Sequence, residues 1–363
     1  MTTYPGSGIL TQFYGPLAEA TYGVAPTLTG AHFYAIKGGG SLKGKKATAQ
    51  GEGLFSGALY PQASRRVLAG WDPAGGSVPL ELPTRNLQQW LLPMFGSYGQ
   101  TLATLTEDSS TGAYKSVHAP GPLQSHSFVV QKGVATVDGT IEPFTYTGCK
   151  ISDWELSVAK HGIAELTHTI VARNELAATG NSDPLNGSVP SLVSYSKPIG
   201  SVFHWAQATL YTGGTASTTS GLTSLSSPTT AGNIKSISIK HTVPLDVDRY
   251  FLGQGGFMSE PVDNGLRTIT VSFEVEWLSA MAYQEAWYGD TATAIKLDLV
   301  GPGIGSGSDD SMFEVLIPEM FFDGEPSPVV AGTQVVTQKI DLAGLDDGTN
   351  NVIQGTYWTL DAT

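Results

Sequence analysis

Residues 144–175 contain two stretches in which apolar and polar side chains alternate. Trp154 and Leu156 share one face of the first stretch, and Leu166 and Ile170 share one face of the second. A Lys-His-Gly sequence separates the two stretches and is expected to form the turn. Because successive side chains of a strand point to opposite faces, this pattern predicts a half-buried antiparallel hairpin.

A looser copy of the same pattern follows in residues 233–241 and 265–277. Ile237 and Ile239 alternate with Ser and Lys in its first strand, and a Thr-rich strand ending at Trp277 forms its second. Two copies are too few for a solenoid, which needs at least three repeats. The repetition instead predicts an internally duplicated sheet, with halves at about residues 128–175 and 233–277.

The whole chain is therefore expected to be mainly β, an antiparallel sandwich or barrel with two similar hairpins and one or two short helices. Residues 1–30 have no periodicity and are predicted to form an extended N-terminal arm, with one domain in residues 31–363. Residues 211–232 are rich in Ser, Thr and Gly, which predicts a flexible hairpin excursion or, alternatively, a linker. Leucines and a tryptophan at helical spacing predict a helix that begins after Thr84 as N-cap.

Composition excludes several classes of function. The 363 residues include 19 Lys and Arg against 32 Asp and Glu, a net charge of -13, so the chain is not expected to grip the phosphate backbone of nucleic acid. The single cysteine, Cys149, rules out an intrachain disulfide and fits a reducing compartment. The N-terminus does not resemble a secretory signal, and no apolar run is long enough to predict insertion into a membrane.

The sequence offers no convincing phosphate-binding, metal or catalytic site. The glycine-rich residues 301–307 follow a strand, but the sequence after them is strand-like and supplies no helix N-terminus for a phosphate. The seven histidines lack metal-ligand spacing, and no serine lies in a nucleophile elbow. Asp153 and Glu155 would suit glycoside chemistry only beside an aromatic sugar platform, which the neighbouring sequence lacks. We expect no enzyme activity, no metal and no cofactor.

Six basic residues are concentrated between residues 37 and 66 of this acidic chain. A solvated loop is one interpretation, and nucleic-acid binding is a weaker one. A third is an electrostatic contact with another acidic copy of the same protein. The candidates for that contact are Lys37, Lys43, Lys45, Lys46, Arg65 and Arg66.

A series of short motifs, in order along nearly the whole chain, resembles the major tail tube proteins of long non-contractile-tailed (siphovirus-type) bacteriophages. The matching residues are Glu19 to Gly23 (EATYG), Gly75 to Val78 (GGSV), Leu91-Leu92 with Phe95-Gly96, Tyr146 to Ser152 (YTGCKIS), Asn264 to Arg267 (NGLR), and Leu316 to Pro318 followed by Val329 to Ile340. The insert at residues 211–232 is longer than the family leads us to expect.

The resemblance implies a virion structural protein that forms homo-hexameric rings, stacked into a hollow tube with a β-barrel shared between subunits. It also implies the tape measure protein and other tail proteins as partners, synthesis in the host cytoplasm, and passage of DNA without sticking. The alternatives are a single-ring component, such as a distal tail or tube initiator protein, and a β-sandwich carbohydrate-binding or adhesin module. The predicted acidic and hydroxyl-bearing lumen residues are Asp153, Glu155, Ser157, Glu165, Thr167, Thr169, Thr268, Thr270, Ser272, Glu274 and Glu276.

Overall fold

The computed structural model describes residues 11–30, 32–38, 40–53, 59–95, 106–108, 113–120, 127–136, 139–177, 190–198, 200–277, 282–304, 309–324, 328, 330, 333 and 335–361. The strands are β1 (Gln12–Ala18), β2 (Lys43–Gln50), β3 (Arg66–Glu81), β4 (Thr106–Asp108), β5 (Ala113–His118), β6 (Phe128–Ala135), β7 (Ile141–Val158), β8 (Glu165–Ala172), β9 (Asn174–Ala177), β10 (Ala208–Thr212), β11 (Thr215–Thr219), β12 (Leu222–Ser226), β13 (Thr229–Thr230), β14 (Ile234–Thr242), β15 (Leu245–Asp246), β16 (Val262–Asp263), β17 (Thr268–Glu276), β18 (Thr293–Gly303), β19 (Asp310–Asp323), β20 (Thr337–Gly344) and β21 (Gln354–Thr359). The helices are α1 (Gln88–Phe95) and α2 (Ala282–Tyr288).

Both predicted hairpins form, and they lie side by side in one antiparallel sheet. β7 pairs with β8, β14 pairs with β17, and β7 also pairs with β14, so the two hairpins share an edge. β3 extends this sheet beyond β8, and β20 extends it beyond β17. We call the set β3–β8–β7–β14–β17–β20 the main sheet. The fold is mainly β, as predicted.

Two long strands carry the main sheet into the rest of the fold. The first half of β7 pairs with β6 and β9 in a smaller sheet that also contains β1. The last residues of β19 pair with β20, whereas its first half lies between β18 and β21. β10 lies beyond β18 and β5 beyond β21, and together these strands form an opposite sheet. Among the described strands, the pairings do not close into a barrel.

The core lies between these sheets and is sealed by α1. The ring of Trp90 on α1 stacks on His168 of β8 at 4.1 Å, and the ring of Phe95 lies 5.4 Å from Trp154 of β7. The indole N–H of Trp154 donates to the carbonyl of Met94 at 3.3 Å. Burial of each such side chain contributes about 1.5–3 kcal/mol, so α1 fixes which face of the main sheet is inside.

The helix differs in one detail from the prediction. It begins at Gln88, so Thr84 is not its N-cap. The Thr84 hydroxyl instead accepts a hydrogen bond from the backbone N–H of Ser201 at 3.0 Å, which ties together two loops. Among the described residues, neither helix is long and apolar enough to cross a membrane.

Two segments predicted to be loosely attached are regular structure. In the predicted N-terminal arm, β1 pairs with β6, and Phe13 and Tyr14 are buried within the subunit. Residues 1–10 lie outside the described part. In the region predicted as a flexible loop, β11 and β12 form a hairpin. Thr223 of that hairpin is buried, and its backbone N–H donates to the Gln354 side chain at 2.8 Å.

Candidate functional site: a polar sheet face and a basic hairpin

All eleven predicted lumen residues lie on one face of the main sheet, which we call the polar face. The strand register brings them together: Asp153 lies opposite Thr169, Glu155 opposite Thr167 and Ser157 opposite Glu165. Pairing of β7 with β14, and of β14 with β17, places the Thr-rich strand next in line on the same face. Two segments separated by more than sixty residues of sequence thus form one continuous surface.

The polar face exists because its strands bury the alternate residues. Trp154 and Leu156 of β7, and Val271 and Phe273 of β17, are almost fully buried. Turning either strand over would expose those side chains to water, at a cost of about 1.5–3 kcal/mol for each. The acids and hydroxyls between them are therefore held on the side away from the core.

Several hydrogen bonds order the polar face from within. The Ser238 hydroxyl donates to a Glu155 carboxylate oxygen at 2.6 Å, and the Thr169 hydroxyl donates to Asp153 at 3.0 Å. The Asn233 side-chain amide donates to Glu276 at 3.1 Å. These neutral donors fix the carboxylates without cancelling their charge.

Sequence reasoning missed residues at both edges of this face. Glu81 of β3 lies opposite Glu165, and Asp341 of β20 lies opposite Ser272. The available signal was the alternation in β20, where buried Ile340 and Leu342 bracket Asp341. No sequence pattern predicted that β3 would pair with β8 or that β20 would pair with β17.

Lysines also lie on the polar face or at its rim. Lys240 of β14 lies between Glu155 and Thr270 in register, so it is surrounded by the face. Lys339 lies 2.9 Å from Asp341, and Lys235 lies 3.7 Å from Glu274. Lys37, predicted as a contact between subunits, is half exposed and forms an ion pair with Glu165 of its own subunit. The lysines near this surface lie close to carboxylates.

The other five basic candidates lie on a hairpin formed by β2 and the first half of β3. We call residues 43–74 the basic hairpin. Lys45 forms an ion pair with Asp72 at 2.7 Å, and the Lys46 ammonium lies 5.6 Å from the Trp71 ring centroid. Lys43, Arg65 and Arg66 are exposed. The predicted solvated loop is therefore a β-hairpin, of which the outer part has little of its surface buried.

The basic hairpin also carries apolar side chains exposed to solvent. Leu59 is 90% exposed, Tyr60 is 83% exposed, and Val67 and Leu68 are more than half exposed. A cluster of exposed apolar residues on a projecting hairpin marks a surface for interaction with another protein. The apolar residues around Leu59 in the sequence were a signal for such a surface.

Buried ionisable groups occur in the core, away from the polar face. Burial lowers the pKa of His168 to about 3, and burial, with the Arg267 charge nearby, lowers the pKa of His241 to about 4. Burial raises the pKa of Glu19 to about 7 despite hydrogen bonds from the backbone N–H groups of Gly23 and Gly148. Among the described residues, no group of three or more His, Cys, Asp or Glu is placed to hold a metal ion.

The described chain thus combines a sheet that has one polar face with a hairpin that exposes apolar and basic side chains. The family model of phage tail tube proteins matches residues 12–344, nearly the whole chain. The chain therefore belongs to the phage tail tube protein family and is a structural component of the phage tail. A search of curated proteins found no match.

Proposed function

We propose that this protein forms homo-hexameric rings that stack into the tail tube, with the polar face lining the lumen through which DNA is ejected into the host. The observation that carries the proposal is the position of all eleven acidic and hydroxyl-bearing residues on one continuous face of the main sheet. In a tube, the same face would bound a water-filled channel.

The main sheet is suited to a wall shared between subunits. An open sheet leaves edge strands, and edge strands favour pairing with another chain unless they are covered. Closing a sheet into a barrel removes all edges at once. Within the described chain, β19 pairs with residues 341–344 of β20, and Lys37 and Ser41 hydrogen-bond to β3, so a wall shared between subunits would form beyond these pairings.

The charge of the polar face suits passage without binding. Duplex DNA carries one negative charge per about 1.7 Å of axis, and proteins bind it through Lys and Arg contacts that release counterions. A wall of Asp, Glu, Ser and Thr offers few such contacts. Lys240 lies beside Glu155, which reduces its attraction for a phosphate group.

The basic hairpin supplies the second requirement of a tube, which is contact between subunits. Its exposed apolar residues gain stability when a neighbour covers them, by about 25 cal/mol for each Å² of apolar surface removed from water. Its basic residues are attracted to the acidic body of another copy. We propose the same role for the N-terminal residues that precede β1.

The tube would enclose the tape measure protein during assembly and end on other tail proteins, and the subunit would be made in the host cytoplasm. A single-ring tail component is the alternative, because such a protein would also need a polar channel face. The match to the model of phage tail tube proteins favours the tube.

Electron microscopy of the purified protein tests the proposal directly. We expect negative-stain images to show hollow tubes of uniform width. Isolated rings that never elongate would favour the single-ring alternative, and monomers under all conditions would contradict both.

A shortened basic hairpin tests how the tube is held together. Residues 48–69 are replaced by Asn-Gly, which joins the paired residues Ala47 and Gly70 through a two-residue turn. We expect a folded protein that keeps the circular dichroism spectrum of a β protein and forms no tubes. A matched variant that keeps the hairpin but replaces Arg65 and Arg66 with Gln separates the charge from the apolar contacts.

A further inference from the structure

The loop between β14 and β17, residues 243–267, exposes apolar side chains at one end of the main sheet. Leu252 is fully exposed at 104%, and its neighbour Phe251 is 55% exposed. Leu266 is 91% exposed near the end of the same loop. Several large apolar residues exposed on one loop mark an interaction surface, because each loses favourable burial when the protein is alone.

This loop is braced against the base of the basic hairpin. The Trp71 backbone N–H donates to the Gly256 carbonyl at 2.8 Å, and the Trp71 ring stacks on Phe257 at 6.1 Å. The Tyr250 hydroxyl donates to the Trp71 carbonyl at 2.9 Å. A Cβ on Gly256, which has a φ of 77°, would lie 2.6 Å from the Cα of Gly70. The exposed residues Phe251 and Leu252, which we call the tip, are therefore held by a fixed base.

A small apolar pocket lies at the opposite end of the main sheet. It has a volume of about 240 Å³ and opens between the main sheet and the opposite sheet. Val158, Leu210 and Leu297 line its buried part, and Trp205 and Ile234 lie at its partly exposed part. A pocket of this size holds one or two apolar side chains.

The tip and the pocket lie at opposite ends of the same strand. β14 begins at Ile234, beside the pocket, and ends at Thr242, where the 243–267 loop begins. At about 3.3 Å per residue, roughly 26 Å separates the two ends. Translation of one subunit along the strand direction thus brings the tip of one copy toward the pocket of the next.

One pair of exposed charges at the two surfaces, Asp248 beside the tip and Lys160 beside the pocket, has opposite sign. Asp248 is exposed next to the apolar tip, and the guanidinium of its neighbour Arg249 donates to the carbonyl of Glu260 and lies 5.8 Å from the centroid of the Phe251 ring. Lys160 is exposed in the turn beside the pocket, and the His161 ring lies 5.3 Å from the Trp205 ring. Lys235, between two pocket residues, lies 3.7 Å from Glu274 and is partly neutralised by it.

We propose that Phe251 and Leu252 of one subunit dock into the Val158–Trp205–Ile234 pocket of a second copy of this chain in the next ring. This inference rests on the proposed tube. A head-to-tail contact of this kind uses two different surfaces, so it repeats without limit along one axis. It acts beside the basic hairpin, which lies at the same end of the main sheet as the loop.

Disulfide cross-linking of assembled tubes tests the docking. The variant combines Leu252→Cys with Ala206→Cys, since Ala206 is an exposed residue that lines the pocket. The native Cys149 is completely buried and should not react. After mild oxidation, we expect covalently linked species that contain more subunits than one ring. The matched control combines Leu252→Cys with Ser224→Cys on the exposed surface of β12, and it should stay uncross-linked.

The possible results separate this inference from the proposed tube. Tubes without a cross-link between residues 252 and 206, or cross-linked chains that stop at one ring, would overturn the docking alone. Cross-linking in the single Leu252→Cys variant would indicate a symmetric contact and would also overturn it. Failure of the wild-type protein to form any tubes would remove the proposed function and this inference together.

Substitution of the tip provides an independent measurement. We expect Leu252→Asp to slow tube growth at least tenfold, because it places a charge in an apolar pocket. Leu252→Met keeps an apolar side chain of similar volume and should restore growth to within about twofold. Growth of Leu252→Asp at the wild-type rate would contradict the docking.

Discussion

The two faces of the main sheet are built from alternate residues of the same strands, yet they are fixed by different forces. Trp154 is completely buried and packs against Phe95 and His241. The next residue, Glu155, is partly exposed and accepts a hydrogen bond from Ser238. Packing therefore determines the apolar face, whereas the polar face can vary with little effect on the fold. Substitutions on the polar face are therefore expected to cost less stability than substitutions on the apolar face.

The largest expected difference between the faces is in stability. Trp154→Ala should lower the free energy of unfolding by about 3–5 kcal/mol, because it leaves a large cavity. Glu155→Ala, one residue away, should cost less than about 1.5 kcal/mol, since it removes one hydrogen bond at a partly exposed site. Denaturant titration of both variants measures the contrast. Similar losses for the two would show that the polar face also carries the fold.

Acid is expected to destabilise the protein through buried histidines on the apolar face. Burial lowers the pKa of His168 to about 3 and of His241 to about 4, against an ordinary value of 6.5. Below pH 6.5 the unfolded chain binds protons that the folded protein refuses, so stability falls as the pH falls. Each histidine contributes a loss of about 1.4 kcal/mol per pH unit until its folded pKa is reached.

Replacement of one histidine isolates its share of this loss. His241→Gln should show a shallower decrease in melting temperature between pH 6.5 and pH 4 than the wild-type protein. The control is His161→Gln, because His161 lies in an exposed turn. An unchanged slope in His241→Gln would contradict the assignment of acid sensitivity to this residue.

Charge reversal on the polar face should change function more than stability. Glu274→Lys combined with Glu276→Lys should lower the free energy of unfolding by no more than about 2 kcal/mol, because it removes contacts with Lys235 and Asn233 at partly exposed sites. Assembly should be largely retained, whereas DNA ejection should be impaired because the lysines bind phosphate groups.

The matched control for charge reversal is Glu274→Gln combined with Glu276→Gln, which removes the acids without adding cations. Infectivity of phage carrying each variant, together with electron microscopy of their tails, measures the effect. Normal infectivity of the lysine variant would argue against a lumen position for these residues.

The smallest expected effect is at the hydrogen bond between the hairpins. Ser238→Ala removes the donor to Glu155 and should cost about 0.5–1.5 kcal/mol without affecting tube width. Ser224→Ala is the comparison and should cost less, because it removes a longer hydrogen bond, 3.3 Å from the Ser217 carbonyl, at an exposed site. A loss above about 3 kcal/mol would mean that the polar face contributes strongly to the stability of the fold.

Much of the site was predictable from the sequence because alternation is a local property. The residues that share a face within β7, β8, β14 and β17 follow directly from which neighbours are apolar. The apolar stripe of α1 was also visible, although its first residue was not, since Thr84 is held by Ser201 from a distant loop. The order of short motifs along the chain indicated the family.

Other features depended on contacts that no local pattern encodes. The basic residues 43–50 read as a loop because they lack apolar alternation, yet pairing with β3 makes them a strand. Residues 211–232 read as flexible because they bury little, yet reciprocal hydrogen bonds with Gln354 hold their hairpin. In both cases a partner far along the chain supplies the backbone or side-chain bonds.

By itself, the sequence determined that the protein is mainly β, that two of its hairpins have one polar and one apolar face, and that it carries no recognisable catalytic motif. Tertiary structure alone decided that β7 would pair with β14, which unites the two polar faces, and that β3 and β20 would extend them. The physical reason is that side-chain alternation fixes the faces of a strand, whereas the choice of neighbour depends on how the whole core packs.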